Sequence, residues 1–114
     1  MYRPFRLTSA ADFQRAREQG KAFRDRRMVV LVRPNGLDRS RFGFVTSGRI
    51  GGAVQRNAVR RLMREAARAR IPELAAGYDI VVIATRQAVG VDYRQIGESM
   101  QALLQRAGLI REQA

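Results

Sequence analysis

The segment between Gly52 and Pro72 limits the fold more than any other part of the chain. It carries arginine at 56, 60, 61, 64, 68 and 70, with small or apolar side chains between them. The pattern predicts one long helix from about Ala53 to Arg70, with Pro72 just beyond its end. At about 100° per residue, Arg56, Arg60, Arg64, Asn57, Arg68 and Arg61 share an arc of roughly 140°. Ala58, Ala69, Leu62, Ala66, Val59 and Met63 fall in the opposite arc, from roughly 200° to 340°. One stripe therefore has to pack on other structure, and the other is nearly all guanidinium. A solvated helix face usually mixes signs, because acid–base pairs four residues apart stabilise it. Here Arg56, Arg60, Arg64 and Arg68 repel at each such step, and Glu65 is the only acid in the helix. A face of this kind suits phosphate. A surface tuned for solubility is the plain alternative. A helix lying on an anionic membrane is disfavoured, because the apolar stripe is alanine-rich and lacks Trp or Phe.

The whole chain shares this bias. Lys and Arg number 22 against 10 Asp and Glu, a formal charge of +12 on 114 residues. A surplus this large on so small a chain points to a polyanionic partner. Lys21 is the only lysine. Guanidinium grips phosphate with two hydrogen bonds and stacks on bases, although an arginine-rich genome explains the Arg:Lys ratio equally well. Cysteine and histidine are absent. Disulfides, thiolate zinc sites, thiol nucleophiles and the usual general base are thereby excluded. The ten carboxylates show no spacing that suits two-metal chemistry. The length fits one domain, residues 1–114, with a core large enough to need no metal or disulfide. No apolar run approaches the ~18 residues of a membrane span. Met1–Arg6 lacks the apolar stretch of a signal peptide, so a cytoplasmic location is expected.

Around the long helix the chain alternates. Ser9 with Asp12 reads as the capped start of a short helix, with Phe13 and Ala16 on one side and Gly20 at its end. Met28–Val32 is a β-branched run, Pro34-Asn35-Gly36 is a turn, and Arg41–Thr46 resumes as a strand with Phe42 and Phe44 on one face. These two strands are expected to form a hairpin-like pair. Tyr78–Thr85 is almost continuously apolar, as a central strand would be. Asp92 with Gln95 caps a last helix, whose apolar positions are Tyr93, Ile96, Met100, Leu103 and Ala107, and Gly108 ends it. The expected class is α+β, a small sheet covered by helices.

The loop Ser47–Gly52 is less specific. Its glycines allow close backbone approach, and a helix N-terminus attracts anions. It is no P-loop, because no Gly-Lys-Ser/Thr closes it. Gly48-Arg49-Ile50-Gly51 has the G-x-x-G form of the KH clamp, and an ordinary strand-to-helix turn accounts for it equally well. Major-groove DNA reading is disfavoured, since arginines and one Asn grip phosphate but offer little base-edge variety.

Gly51-Gly52-Ala53-Val54-Gln55-Arg56-Asn57-Ala58-Val59-Arg60-Arg61-Leu62-Met63-Arg64-Glu65 resembles the signature of the protein subunit of bacterial ribonuclease P. Arg6-Leu7, Asp12-Phe13 and Gly20 resemble that family's first helix, and Tyr78–Val81 and the terminal helix also fit. The resemblance implies an αβββαβα sandwich of two layers with a left-handed β-α-β crossover. It implies a subunit that binds the catalytic RNA and the 5′ leader of precursor tRNA, assisting leader removal. It also implies that the RNA holds most of the Mg²⁺ ions and does the chemistry, and no catalytic or metal-binding residue is expected in this chain. Arg49, Arg56, Asn57, Arg60, Arg61, Arg64 and Arg68 would meet the catalytic RNA, and Phe13, Arg17 and Leu31 would line the leader cleft. The free protein is expected to be a monomer. A non-enzymatic RNA-binding module, ribosomal-protein-like or KH-like, is the alternative.

The chain departs from the family pattern at three places. Ala58 replaces the usual third residue of Arg-Asn-Arg, Gly48-Arg49 replaces two basic residues, and Arg17 and Leu31 stand where aromatics are common. Leader contacts are therefore expected to be more electrostatic and less stacked.

Overall fold

The computed structural model describes residues 5–111, so Met1–Pro4 and the carboxylate Glu112 lie outside the described residues. The elements are α1 (Ala10–Gln19), β1 (Lys21–Arg24), β2 (Met28–Pro34), β3 (Arg41–Val45), α2 (Ala53–Arg70), β4 (Tyr78–Ala84) and α3 (Tyr93–Arg106). Single 3₁₀ turns follow α2 at Ile71–Glu73 and β4 at Arg86–Ala88. The order is αβββαβα, and the class is α+β. No helix among the described residues is long and apolar enough to cross a membrane.

The sheet runs β1-β2-β4-β3. β2 pairs antiparallel with β1 and with β4, and β3 pairs parallel with β4 through the α2 crossover. The expected hairpin between β2 and β3 is therefore absent. β4 lies between them, and the true hairpin partner of β2 is β1. The reason is burial. β2 and β4 are apolar on successive residues and require cover on both faces, which suits interior strands. β3 interrupts its apolar residues with Gly43 and begins with Arg41, and it takes an edge. The turn after Pro34 does form, with Gly36 at φ +72° and the Asn35 N–H donating to the Gly77 carbonyl (2.8 Å). It carries the chain past the start of β4 instead of folding β3 back on β2.

Met28, Val30, Val32, Phe42, Ile80, Val82 and Ala84 face α2 and α3 and form the main core with Val59, Met63, Ile96, Met100 and Leu103. The alternate residues Leu31 and Val81 pack with Leu7 and Ala16 beneath α1. Thus α2, α3 and the sheet make the two expected layers, and α1 adds a short third one on the opposite face. Ser9 Oγ accepts the Asp12 N–H, capping α1. Gly20 ends it in ordinary extended geometry (φ −74°). Glycine is required there for space, because a Cβ would strike the Ala16 carbonyl oxygen. α3 carries the full Asp92–Gln95 capping box, and Gly108 follows it at φ +78°. Tyr93, expected in the apolar stripe, is 43% exposed.

One charge lies inside the sheet. Asp79 is fully buried, and Arg41 holds it with two hydrogen bonds of 2.9 Å. The Asn35 amide donates a third, also 2.9 Å. Arg41 also reaches Asp12 of α1 at 3.3 Å, so one guanidinium ties α1, β3 and β4 together. Its hydrogen bonds to Asp79 raise its pKa, against the opposing effect of burial. Removing one partner of a buried pair strands the other charge. Arg41→Met should therefore cost about 3 kcal/mol in urea denaturation, and adding Asp79→Asn should return part of that loss. A loss below about 1 kcal/mol would mean that solvent or Asn35 already satisfies Asp79.

Candidate nucleic-acid interface

α2 forms over the residues the pattern required, but it is turned on its axis. Its buried residues are Val59, Met63, Ala66 and Ala67, whereas Ala58 and Ala69 are exposed and Leu62 is half-buried. The buried arc is thus rotated by roughly 60° from the one the wheel gives. Ala67 makes this possible, since a methyl group lets the helix approach its neighbours on that side. The arginines consequently separate into two rows. Asn57, Arg61 and Arg68 are exposed. Arg56, Arg60 and Arg64 are half-buried, and Arg60 and Arg64 lie along the rim next to β3 beside Phe42 and Phe44, where long stems can cover apolar surface while the charges stay near water. Arg60 is held in place, donating to Thr46 Oγ1 (2.6 Å) and Asn57 Oδ1 (3.1 Å).

Beside this rim lies a groove of about 180 Å³. Arg60 and Arg64 form one wall and Phe13 of α1 the other, and Phe42, Gly43 and Phe44 of β3 line it with Arg6 and Leu7. The Leu7 N–H donates to the Phe42 carbonyl (2.7 Å), so the segment before α1 covers part of the β3 edge. Phe42 and Phe44 stack with centroids 6.0 Å apart. Phe13 lies against the bare backbone of Gly43, where a Cβ would come within 2.5 Å of its ring. Its ring is only half-buried. Two larger hollows, about 840 and 560 Å³, border none of the residues expected to meet the RNA or the leader.

The other singled-out residues scatter. Arg49 is exposed in the loop before α2, and Arg17 is exposed on α1. Leu31 is buried beneath α1 with Ala16 and Val81, so it forms part of the floor that supports α1 and presents no open surface. Arg6, Phe44 and Thr46 were missed. Only Gly43 gave a signal, since a glycine inside a strand pattern often marks close approach of another group. In the loop, Gly51 alone has a positive φ (+156°). The N-cap of α2 is Gly52, which offers no side-chain acceptor, and the first turn contains no acid.

A mixed sheet backed by two helices, with an arginine helix that makes no ion pair among the described residues and borders an aromatic groove, defines an α+β protein with a strongly basic face. Comparison with known proteins gives the particular family. The ribonuclease P family profile matches residues 1–108. The ribonuclease P protein component of Chloroflexus aurantiacus is 40% identical over 111 residues, covering 96% of this chain and 82% of that one. That of Pelotomaculum thermopropionicum is 40% identical over 105 residues, covering 92% and 94%. Among solved structures, the Staphylococcus aureus RNase P protein superposes with a TM-score of 0.85 at 31% identity, covering 94% of this chain and 98% of that one. The Thermotoga maritima RNase P protein gives 0.81 at 35% identity, covering 89% and 96%. The chain belongs to the ribonuclease P protein family, and its role is that of a protein component of ribonuclease P.

The Phe13–Gly43 contact sets the position of one groove wall. Gly43→Ala should force the ring or α1 aside and cost about 1–3 kcal/mol. In a double-mutant cycle with Phe13→Ala, the two losses should fall short of additivity by at least about 0.5 kcal/mol, because the smaller side chain removes the clash. Strict additivity in urea melts would mean that the ring does not rest on Gly43.

Proposed function

We propose that this chain binds the catalytic RNA of ribonuclease P through the exposed side of α2 and the loop before it. In the same complex it holds the 5′ leader of precursor tRNA in the groove between α1, β3 and the α2 rim. The observation that carries this reading is the state of the arginines. Among the described residues, none of Arg49, Arg56, Arg60, Arg61, Arg64 and Arg68 forms an ion pair with a carboxylate. Arg61 and Arg68 reach phosphate from the exposed face, and Arg60 and Arg64 line the groove. Phe13 offers its half-open ring to a base, and Arg17 adds charge from α1. Leu31 acts only by supporting α1.

Phosphodiester cleavage falls to the RNA in this reading, with Mg²⁺ held by its phosphates. Four of the carboxylates have structural duties. Asp12 and Asp79 hold Arg41, Asp25 accepts backbone N–H groups at the β1–β2 turn, and Asp92 caps α3. The chain supplies positive charge and a shaped groove, and it acts as a single copy in the cytoplasm.

Reconstitution with a transcript of the cognate RNA tests this. The mixture should release the leader of precursor tRNA in Mg²⁺, and the protein alone should not. Sustained cleavage by RNA-free protein would overturn the division of labour. Arg61→Ala with Arg68→Ala should flatten the slope of log K against log salt by about one unit per lost contact. An unchanged slope in a folded variant would remove this face from the interface. Phe13→Ala should weaken precursor tRNA by roughly 1–3 kcal/mol and leave mature tRNA unaffected. Equal losses for both would assign Phe13 to packing alone.

A further inference from the structure

We infer that the phosphate-binding surface continues beyond α2 around one end of the sheet, onto the β1–β2 turn and the start of the segment after β4. This extension rests on the reading of α2 as an RNA-binding face. Three segments far apart in sequence meet here. Thr85 Oγ1 donates to the Arg26 carbonyl, and the Thr85 N–H donates to the Arg27 carbonyl (3.0 Å). The next residue, Arg86, donates through Nε to the Arg49 carbonyl (3.0 Å). Consecutive residues at the end of β4 thus join the β1–β2 turn to the loop that precedes α2.

The junction is rigid and its charge is free. Asp25 Oδ1 accepts the N–H groups of Arg27 (2.8 Å) and Met28 (3.0 Å), which closes the turn. Burial pushes the Asp25 carboxyl up, but hydrogen bonds from Ser99 and these N–H groups, with the Arg27 charge, hold it below its ordinary pKa. Arg27 is turned inward, donating to Ser99 Oγ (3.2 Å) and the Gln95 carbonyl (3.3 Å). Arg24, Arg26, Arg49 and Arg86 are exposed. Among the described residues, the side chains of Arg24, Arg26 and Arg49 make no hydrogen bond or ion pair, and Arg86 uses only Nε. Asp25 is the single acid in these segments, and it faces the turn backbone. Four guanidinium groups on a braced surface, continuous with the loop before α2, match a run of phosphates. The partner is the backbone of the structured catalytic RNA. The three segments contain no aromatic residue on which a single-stranded base would stack. Ile50, the one large apolar residue in them, packs against the core, so no apolar side chain is left with which the basic surface could enter a membrane.

The test uses the full-length protein and a transcript of the cognate ribonuclease P RNA. Equilibrium binding is measured from low to high monovalent salt for the parent, Arg24→Gln/Arg26→Gln and Arg61→Ala/Arg68→Ala. The turn variant should lower the magnitude of the salt slope by about 1.8, at about 0.9 per phosphate contact. Arg24→Lys/Arg26→Lys should keep the parent slope, because lysine preserves the charge. Arg86→Gln provides a separate reading that leaves the turn untouched and should lower the slope by about 0.9. A parent-like slope in both glutamine variants, with thermal melts confirming the fold, overturns the extension. If that occurs while the α2 variant still loses slope, only the extension fails. If the parent itself shows no salt-dependent RNA binding, the underlying reading of α2 fails as well.

Discussion

The burial of β4 on both faces and along both edges governs the rest of the molecule. β2 lies antiparallel on one side of it and β3 parallel on the other, so β4 joins the two halves of the sheet. A strand in that position has to be apolar on successive residues, and Ile80–Val82 is fully buried. Asp79 is the exception, and it is tolerated because three hydrogen bonds from Arg41 and Asn35 satisfy it. The same guanidinium reaches Asp12, so the ion pair inside the sheet also fixes where α1 lies. α1 carries Phe13, and Phe13 rests on Gly43. The groove therefore inherits its width from a contact made at the start of β4.

Charge is sorted along the sheet by the same arrangement. The acids Asp12, Asp38 and Asp79 meet arginines near the start of β3 and β4, and Glu98 pairs with Arg94 on α3. Few acids remain for the opposite end, where α2 begins and the β1–β2 turn sits. Like charges four residues apart on α2 each cost a few tenths of a kcal/mol. Packing of Val59, Met63 and Ala66 on the core is worth several times that, so the helix stands without help from surface pairing. In the proposed complex, RNA phosphates would relieve the repulsion that remains.

Local chemistry in the sequence was enough to place the helices. The limits of α2, the capping of α1 by Ser9 and of α3 by Asp92, and the end of α3 at Gly108 all depend on residues within a few positions of one another. The central position of β4 was legible from its unbroken apolar run. Strand partnership was not. Both β2–β3 and β1–β2 are short connections, and only the demand of β2 and β4 for cover on both faces decides between them. Leu31 misled for a related reason. Its place in the strand is clear, but the α1 layer above it depends on contacts to Leu7 and Ala16. The meeting of Arg26, Arg49 and Arg86 depends on Thr85, and no spacing in the sequence signals it.

The rotation of α2 has the largest consequence for function. A wheel weights every arginine as fully solvated and so turns all of them outward. Arginine stems are apolar, however, and the rim next to β3 accepts them while Ala67 fills the core beneath. Without that turn, Arg60 and Arg64 would leave the groove and Thr46 would lose its donor. With it, these two side chains stand between the exposed face and the groove and belong to both. A substitution at either one therefore disturbs two surfaces at once, and in the proposed complex a loss of binding there would not tell the catalytic RNA from the leader. Arg61 and Arg68 on one side, and Phe13 on the other, each touch a single surface. The arginine row that reads as one site in the sequence is, in the fold, the shared wall of two.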